Sequence, residues 1–249
     1  MTMISSIPGM GGVPNAGPTQ QPSPFELRSK TAWPTMFFTR VWRDHAKHAP
    51  GLLSCFGEMK AAQVKNIDSG VAVGAKAEHG LFESRMDLFE VSDHPDVRQL
   101  ARFCASTIRK VVWQVNGREV EAKRIAVEFK DSWYHITNEG GFHDAHYHSG
   151  CSWCGIYYVQ SGDAPKDRPE GAGNGVSRFY APVGCGGITD DYGNKYLGTG
   201  MLDVPPRDGM LVVFPAFLLH SGLPYIGEQD RVLVAFNTCT RLTERPTEI

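Results

Sequence analysis

Hydrophobic positions follow two different rhythms along this chain. Up to about residue 117 the clearest repeat is helical: Val97, Leu100, Ala101, Cys104, Ile108 and Val111 recur at the spacing of one buried helical face. Asp93 or Ser92 is placed to cap that helix, Pro95 suits its first turn, and Gly117 in "VNG" stops it. Upstream, "AWPTMFFTRVW" reads as a strand or strand and loop, "RDHAKHAPGLLSCFGEMKAAQ" as a mixed segment containing a helix, and "LFESRMDLFEV" as a short strand or loop. Beyond the helix the period falls to two. "RIAVEF" puts Ile125, Val127 and Phe129 on one side. "CGIYYVQSG", "GVSRFYAPV", "GMLVVFPAFLL" and "RVLVAFNTCT" are short, rich in β-branched and aromatic residues, and bounded by Gly, Pro, Asn or Asp. Such runs are the signature of an antiparallel sandwich or small barrel. The pattern therefore predicts a mainly β protein with flanking helices, an N-terminal helical layer packed on a C-terminal sandwich.

Composition changes this picture little. Residues 1–24 are dominated by Gly and Pro with no hydrophobic period, so residues 1–25 are expected to be a flexible tail and residues 26–249 a single domain. The Gly-, Pro- and Asp-rich stretch from 161 to 208 is expected to form long loops near the site; "GAGNG" at 171–175 reads as a loop, not a phosphate cradle, because no strand–helix context surrounds it. With 25 basic and 27 acidic residues well mixed, the chain lacks the basic face that nucleic acid would need. No apolar stretch approaches the roughly 20 residues that cross a bilayer, and no secretory leader is visible. The six cysteines (Cys55, Cys104, Cys151, Cys154, Cys185, Cys239) are scattered in apolar contexts, which suits reduced thiols and a cytoplasmic location.

The chemistry concentrates in "GGFHDAHYHSGCSWCGIYYV". His146 and His148 stand two apart, and on a strand alternate side chains share a face, so both imidazoles can converge on one ion. His143 and Asp144 lie just upstream, in an expected turn. A third ligand is best supplied by His220, which ends the apolar run "GMLVVFPAFLLH". His45, His48, His79 and His94 read as ordinary surface histidines. Eleven residues past His220, Arg231 opens "RVLVAFN". An arginine directed into a sandwich is costly unless a carboxylate meets it, and its planar fork suits bidentate pairing. The other reading is an arginine at an exposed strand entrance. "CSWC" (Cys151 to Cys154) has the form of a C-x-x-C element but no second pair at zinc-knuckle spacing; packing against Trp153 is the simpler explanation.

Taken together, His146-x-His148, the following "GIYYV", the run "FPAFLLH" ending at His220, and Arg231 in "RVLVAFN" resemble the iron(II)- and 2-oxoglutarate-dependent oxygenases. More narrowly they resemble a bacterial 2OG-Fe(II) oxygenase group that carries H-x-H before an "SG-x-YY" strand; "GLFESRMDLFE" is similar to that group's upstream segment. The resemblance covers roughly residues 30–240. It implies a double-stranded β-helix, the cupin-like jelly roll. It further implies Fe(II) held by His146, His148 and His220, 2-oxoglutarate chelating the iron with its distal carboxylate on Arg231, and O2 as the other substrate. Tyr157, His135 and Asn138 would reach the co-substrate. Decarboxylation to succinate and CO2 would accompany hydroxylation of an unidentified small molecule or side chain, in a pocket shaped by Trp33, Phe37, Phe38 and aromatic residues of the 160–200 region. Four positions depart from the pattern. His148 stands where most of the wider family has Asp, Ser149 where the group has Pro, Cys154 where it has Ser, and Leu233 where a Ser is common.

Two other readings compete. A three-histidine cupin-type dioxygenase needs no 2-oxoglutarate; Gly209 to Pro215 has its spacing, but Phe217 replaces an expected Gly. A non-catalytic metal-binding jelly-roll module is the second. Arg231 separates them from the oxygenase, because neither requires it. The expected partners are a small-molecule substrate, neither nucleic acid nor membrane, with a homodimer compatible.

Overall fold

Among the described residues eleven strands form two antiparallel sheets. The computed structural model describes residues 34–68, 76–163, 174–182, 193 and 200–246, with backbone alone at 64–68 and 76–78. The expected tail at 1–25 and Trp33 lie outside the described residues, as does Cys185. Residues Thr35–Ile249 form one compact unit. In chain order its elements are β1 (Phe38–Val41), α1 (His45–Asp68), β2 (Lys76–Glu78), β3 (Leu81–Glu83), α2 (Leu88–Val91), α3 (Pro95–Val115), β4 (Ile125–Thr137), β5 (Gly141–His146), β6 (Trp153–Gln160), β7 (Ser177–Tyr180), β8 (Met201–Val204), β9 (Met210–Pro215), β10 (His220–Tyr225) and β11 (Arg231–Leu242). The period-two runs supply β4, β6, β7, β9 and β11. The larger sheet runs β1-β9-β6-β11-β4-β3-β2 and the smaller β5-β10-β7-β8. Strand β8 lies inside the stretch expected to be loop; its partner β7 had a strand-like sequence, whereas "MLDV" is too short and too exposed to show a period.

Alternation sorts side chains between two cores. On β11, Val232, Val234 and Phe236 face the helices, while Leu233 and Ala235 face the smaller sheet. On β4, Tyr134 and Ile136 take the helix side and Trp133 the other. The helix layer meets the first set: Leu52 and Phe56 of α1 join Val97, Leu100, Cys104, Ile108 and Val111 of α3, all buried. Phe56 stacks on Tyr134 with ring centroids 4.5 Å apart. The α3 stripe therefore falls where its spacing predicts. Its cap does not: His94, not Asp93 or Ser92, precedes the helix, and its ring accepts from the Asp96 backbone N–H. Pro95 disfavours helical geometry at the residue before it, so His94 stays extended at ψ 129° and becomes the capping position.

Two of the supposed surface histidines are structural ties. His48 Nδ1 lies 2.7 Å from Asp96 Oδ1 and its ring stacks on Trp42, joining α1 to α3. His45 Nδ1 lies 2.8 Å from the Tyr157 hydroxyl. Gly155 has no room for more: a Cβ there would fall inside the Phe236 ring. Gly155→Ala is expected to cost about 1–3 kcal/mol by overpacking, read as a lower midpoint in urea unfolding at an unchanged slope.

Candidate metal and co-substrate site

The three predicted imidazoles meet where β5 ends and β10 begins. Register pairs His146, the last residue of β5, with His220, the first of β10, and their rings lie 4.2 Å apart between centroids. His148 lies two residues beyond β5, where its backbone N–H donates to Ala216 O at 3.0 Å. That bond folds the chain back so that the His148 ring comes 5.0 Å from His146 and 5.3 Å from His220. One ring nitrogen of each residue lies within 4.8 Å of the others. Convergence thus comes from strand pairing and a pinned exit, not from alternation on one strand. His143 and Asp144, expected in a turn, belong to β5 instead, and Asp144 is exposed.

The environment makes these rings good donors. Burial, reinforced by neighbouring imidazoles, pushes His220 down to about 3 and His148 to about 4, and burial also lowers His146. All three are neutral near pH 7 and keep a lone pair. His220 Nδ1 lies 3.0 Å from Leu218 O and His146 Nδ1 lies 2.7 Å from Asp144 O. A carbonyl only accepts, so each Nδ1 carries the proton and each Nε2 is left open. His148 Nδ1 faces the side-chain amide of Asn237 at 3.4 Å; that amide also donates to Asp131 at 3.0 Å and accepts from Cys154 Sγ at 3.1 Å. Three neutral imidazole nitrogens suit a borderline divalent cation such as Fe(II).

Arg231 opens into the same cavity. As the first residue of β11 it shares a face with Leu233 and Ala235, and the cavity is lined by all three histidines, Arg231, His135 and Leu233. It is 3% exposed. Its Nη1 donates to Gly175 O, its guanidinium lies 5.6 Å from the Tyr225 ring, and its Nε has no partner. Among the described residues no carboxylate pairs with it. Burial lowers its pKa, yet an arginine keeps its charge, so among the described residues this buried cation has no compensating carboxylate.

The remaining predicted positions divide. His135, on β4, lines the cavity; its Nε2 lies 3.0 Å from Trp133 Nε1 and 2.9 Å from Glu83 Oε2, and beside an ionised carboxylate that nitrogen carries the proton and donates. Tyr157 is directed to the helix-facing core instead. The register shift on β6 falls beyond it, between Tyr158 and Gln160, so strict alternation sends Tyr157 to His45 and leaves Tyr158 on the cavity side, 2.7 Å from Ser177 Oγ. Tyr157→Phe is therefore expected to cost about 1 kcal/mol of stability and to leave 2-oxoglutarate affinity within twofold, measured by titration calorimetry. Asn138 does not reach the cavity; it donates to Asp230 at 3.0 Å and accepts from Gly227 N–H at 3.1 Å, bracing the turn that leads into Arg231. Cys151 and Cys154 are free thiols 3.9 Å apart and join no candidate metal group among the described residues. Phe37 packs edge-on against Phe179, and Phe38 against Trp153.

One functional-site neighbour escaped the sequence. Glu83, buried on β3, lies 2.9 Å from His135 Nε2 and 3.4 Å from His143 Nε2. Burial pushes its carboxyl up, but the partnerships with His135 and His143 outweigh that and hold it well below the usual carboxylate range. Nothing local marks Glu83; only the likeness of "GLFESRMDLFE" to the family's upstream segment pointed to its neighbourhood.

Residues 131–237 match the family described as "Putative 2OG-Fe(II) oxygenase". The matched stretch runs from within β4 into β11 and carries His146, His148, His220 and Arg231. Among curated proteins none matches. Solved structures share the fold. The non-heme alpha-ketoglutarate-dependent carbocyclase SnoK from nogalamycin biosynthesis aligns with a TM-score of 0.52 at 10% identity, over 83% of this chain and 81% of its own. AviO1 from Streptomyces viridochromogenes aligns at 0.50 and 12%, over 85% and 92%. The alpha-ketoglutarate-dependent epimerase SnoN, also of nogalamycin biosynthesis, aligns at 0.50 and 14%, over 86% and 80%. The two antiparallel sheets thus share the jelly-roll fold of these structures.

Proposed function

We propose that His146, His148 and His220 hold the Fe(II), that Arg231 takes the distal carboxylate of 2-oxoglutarate, and that the enzyme hydroxylates a small molecule. The observation that carries this reading is a buried guanidinium with no carboxylate among the described residues, in one cavity with three neutral imidazoles. A dicarboxylate spanning the two would supply the missing anion. The cupin-type reading leaves Arg231 without a task and accounts for less. When bound, iron and 2-oxoglutarate supply the oxidising chemistry, the co-substrate leaving as succinate and CO2. The chain's own part is geometry: Leu218 O and Asp144 O orient two ligand rings, and Leu233, Ala235 and Phe214 keep the cavity wall apolar and dry. Leu233 also makes no hydroxyl contact to the co-substrate, so Arg231 carries its distal end with fewer partners. No described helix is long and apolar enough to cross a membrane, and the free cysteines support a cytoplasmic location.

The test is anaerobic addition of Fe(II) and 2-oxoglutarate to purified protein. A weak visible metal-to-ligand charge-transfer band is expected, and its absence with both ligands in excess would overturn the reading. Proton competition gives a second check. Protons compete with metal only as each ring titrates, so the fall in Ni(II) affinity on acidification should begin below the ordinary histidine value of about 6.5 and steepen as His148 and His220 take up protons near about 4 and about 3. For the metal-free protein the sign is the same: the unfolded chain takes up protons first, so stability drops as pH falls below about 6.5.

A further inference from the structure

The second polar cluster touches the first through one contact, between His143 Nδ1 and His146 Nδ1 at 3.1 Å. Hydrogen-bond logic gives this contact a direction. His146 Nδ1 lies 2.7 Å from Asp144 O, which can only accept, so the His146 proton sits on Nδ1. His143 Nδ1 must then accept, and the His143 proton sits on Nε2. That nitrogen faces Glu83 Oε2 at 3.4 Å, and a carboxylate accepts. The longer approach of His143 Nδ1 to Asp144 O, at 3.4 Å, is then no hydrogen bond. Reversing the chain would place the His146 proton on Nε2 and close the lone pair that faces His148 and His220. Glu83 acts in the same direction as Asp144 O from the far end: an ionised carboxylate cannot donate, so it favours the His143 proton on Nε2 and leaves His143 Nδ1 an acceptor.

Resting on the three-histidine reading above, we propose that Glu83 and His143 are positioning residues for the metal: Glu83 holds His143 as an acceptor, and His143 holds His146 in the tautomer whose Nε2 is open. The run crosses β3 and β5 and adds an outer tier of the kind that orients metal-bound imidazoles. The same three side chains (Glu83, His135, His143) have donor atoms close enough together to suggest a second cation. The hydrogen bonds argue otherwise: the Nε2 of both imidazoles already faces the Glu83 carboxylate, and a nitrogen that donates to it has no lone pair for a cation.

Histidine-labelled full-length apoprotein, followed by nitrogen NMR, tests the tautomer without any metal. The His146 ring should carry its proton on Nδ1 in the wild type and shift toward a mixture in both Glu83→Gln and His143→Phe. His143 is the safer position to vary, being partly exposed where Glu83 is buried. Zn(II) titration supplies a second readout, with affinity expected to fall about 10–100-fold in either variant at a constant stoichiometry of one. His143→Gln, whose amide oxygen can still accept from His146, should recover much of that loss. An unchanged His146 tautomer and unchanged Zn(II) affinity in both variants would overturn the proposal. So would a second bound Zn(II) that disappears in Glu83→Gln. His220→Ala separates the two readings: if it leaves Zn(II) affinity intact, the three-histidine site fails, while the apoprotein tautomers still decide the role of Glu83.

Discussion

Replacing Arg231 with Met should yield a protein that is harder to melt and unable to bind 2-oxoglutarate. The guanidinium is nearly inaccessible to water, and among the described residues it meets no carboxylate and its Nε has no partner. A buried charge in that state costs stability, and an apolar side chain of similar volume removes the cost. The gain should be about 1–3 kcal/mol, or roughly 2–4 °C in Tm for each kcal/mol in a domain of this size. The same change removes the charge-assisted partner of the dicarboxylate, worth about 3 kcal/mol or more and hence at least about 100-fold in affinity. Calorimetric titration of the Ni(II)-loaded variant with 2-oxoglutarate checks the second part, and a thermal melt of the apoprotein checks the first. Wild type should gain about 2.7 kcal/mol at a hundredfold excess of ligand over Kd, and the variant almost nothing. Binding within threefold of wild type would remove Arg231 from the co-substrate site.

His148 should divide metal binding from folding in the opposite sense. His148→Ala deletes one of three donors, so affinity for Fe(II) or Ni(II) is expected to drop at least about 100-fold, beyond the 10–100-fold typical of groups behind the ligands. Its fold should survive, because the Ala216 bond that pins this stretch uses the backbone of residue 148. His148→Asp restores the two-histidine, one-carboxylate donor set. It places an anion where a neutral ring sat, near Asp131, so the metal-free variant should melt lower than wild type while a divalent metal raises its Tm by more. Equal metal affinity in wild type and His148→Ala would show that His146 and His220 hold the ion without it.

Much of this was legible in the linear chain, for identifiable reasons. The α3 stripe was readable because one face of that helix meets one apolar core, so burial repeats at the helical period. Strands β6, β9 and β11 were readable because their β-branched and aromatic runs are packed on both faces. His146 and His148 stood out by their spacing of two, His220 because it ends an apolar run, and Arg231 because it opens one, where a polar side chain needs a partner. Tyr157 was misplaced because two adjacent tyrosines look alike in sequence, and only strand phase decides which of them faces the helices. His94 took the capping role because a proline's effect on the preceding residue outweighed side-chain preference.

The chain's own pattern thus determined the mainly β class, the helical layer, the jelly-roll oxygenase resemblance and the residue types of the site. Tertiary structure alone decided the direction of Tyr157 and Tyr158, the pinning of His148 against Ala216, and the meeting of Glu83 with His135 and His143. The division has a physical cause: burial repeats with the period of an element and so is written locally, whereas a hydrogen bond between strands depends on register, which no single segment contains.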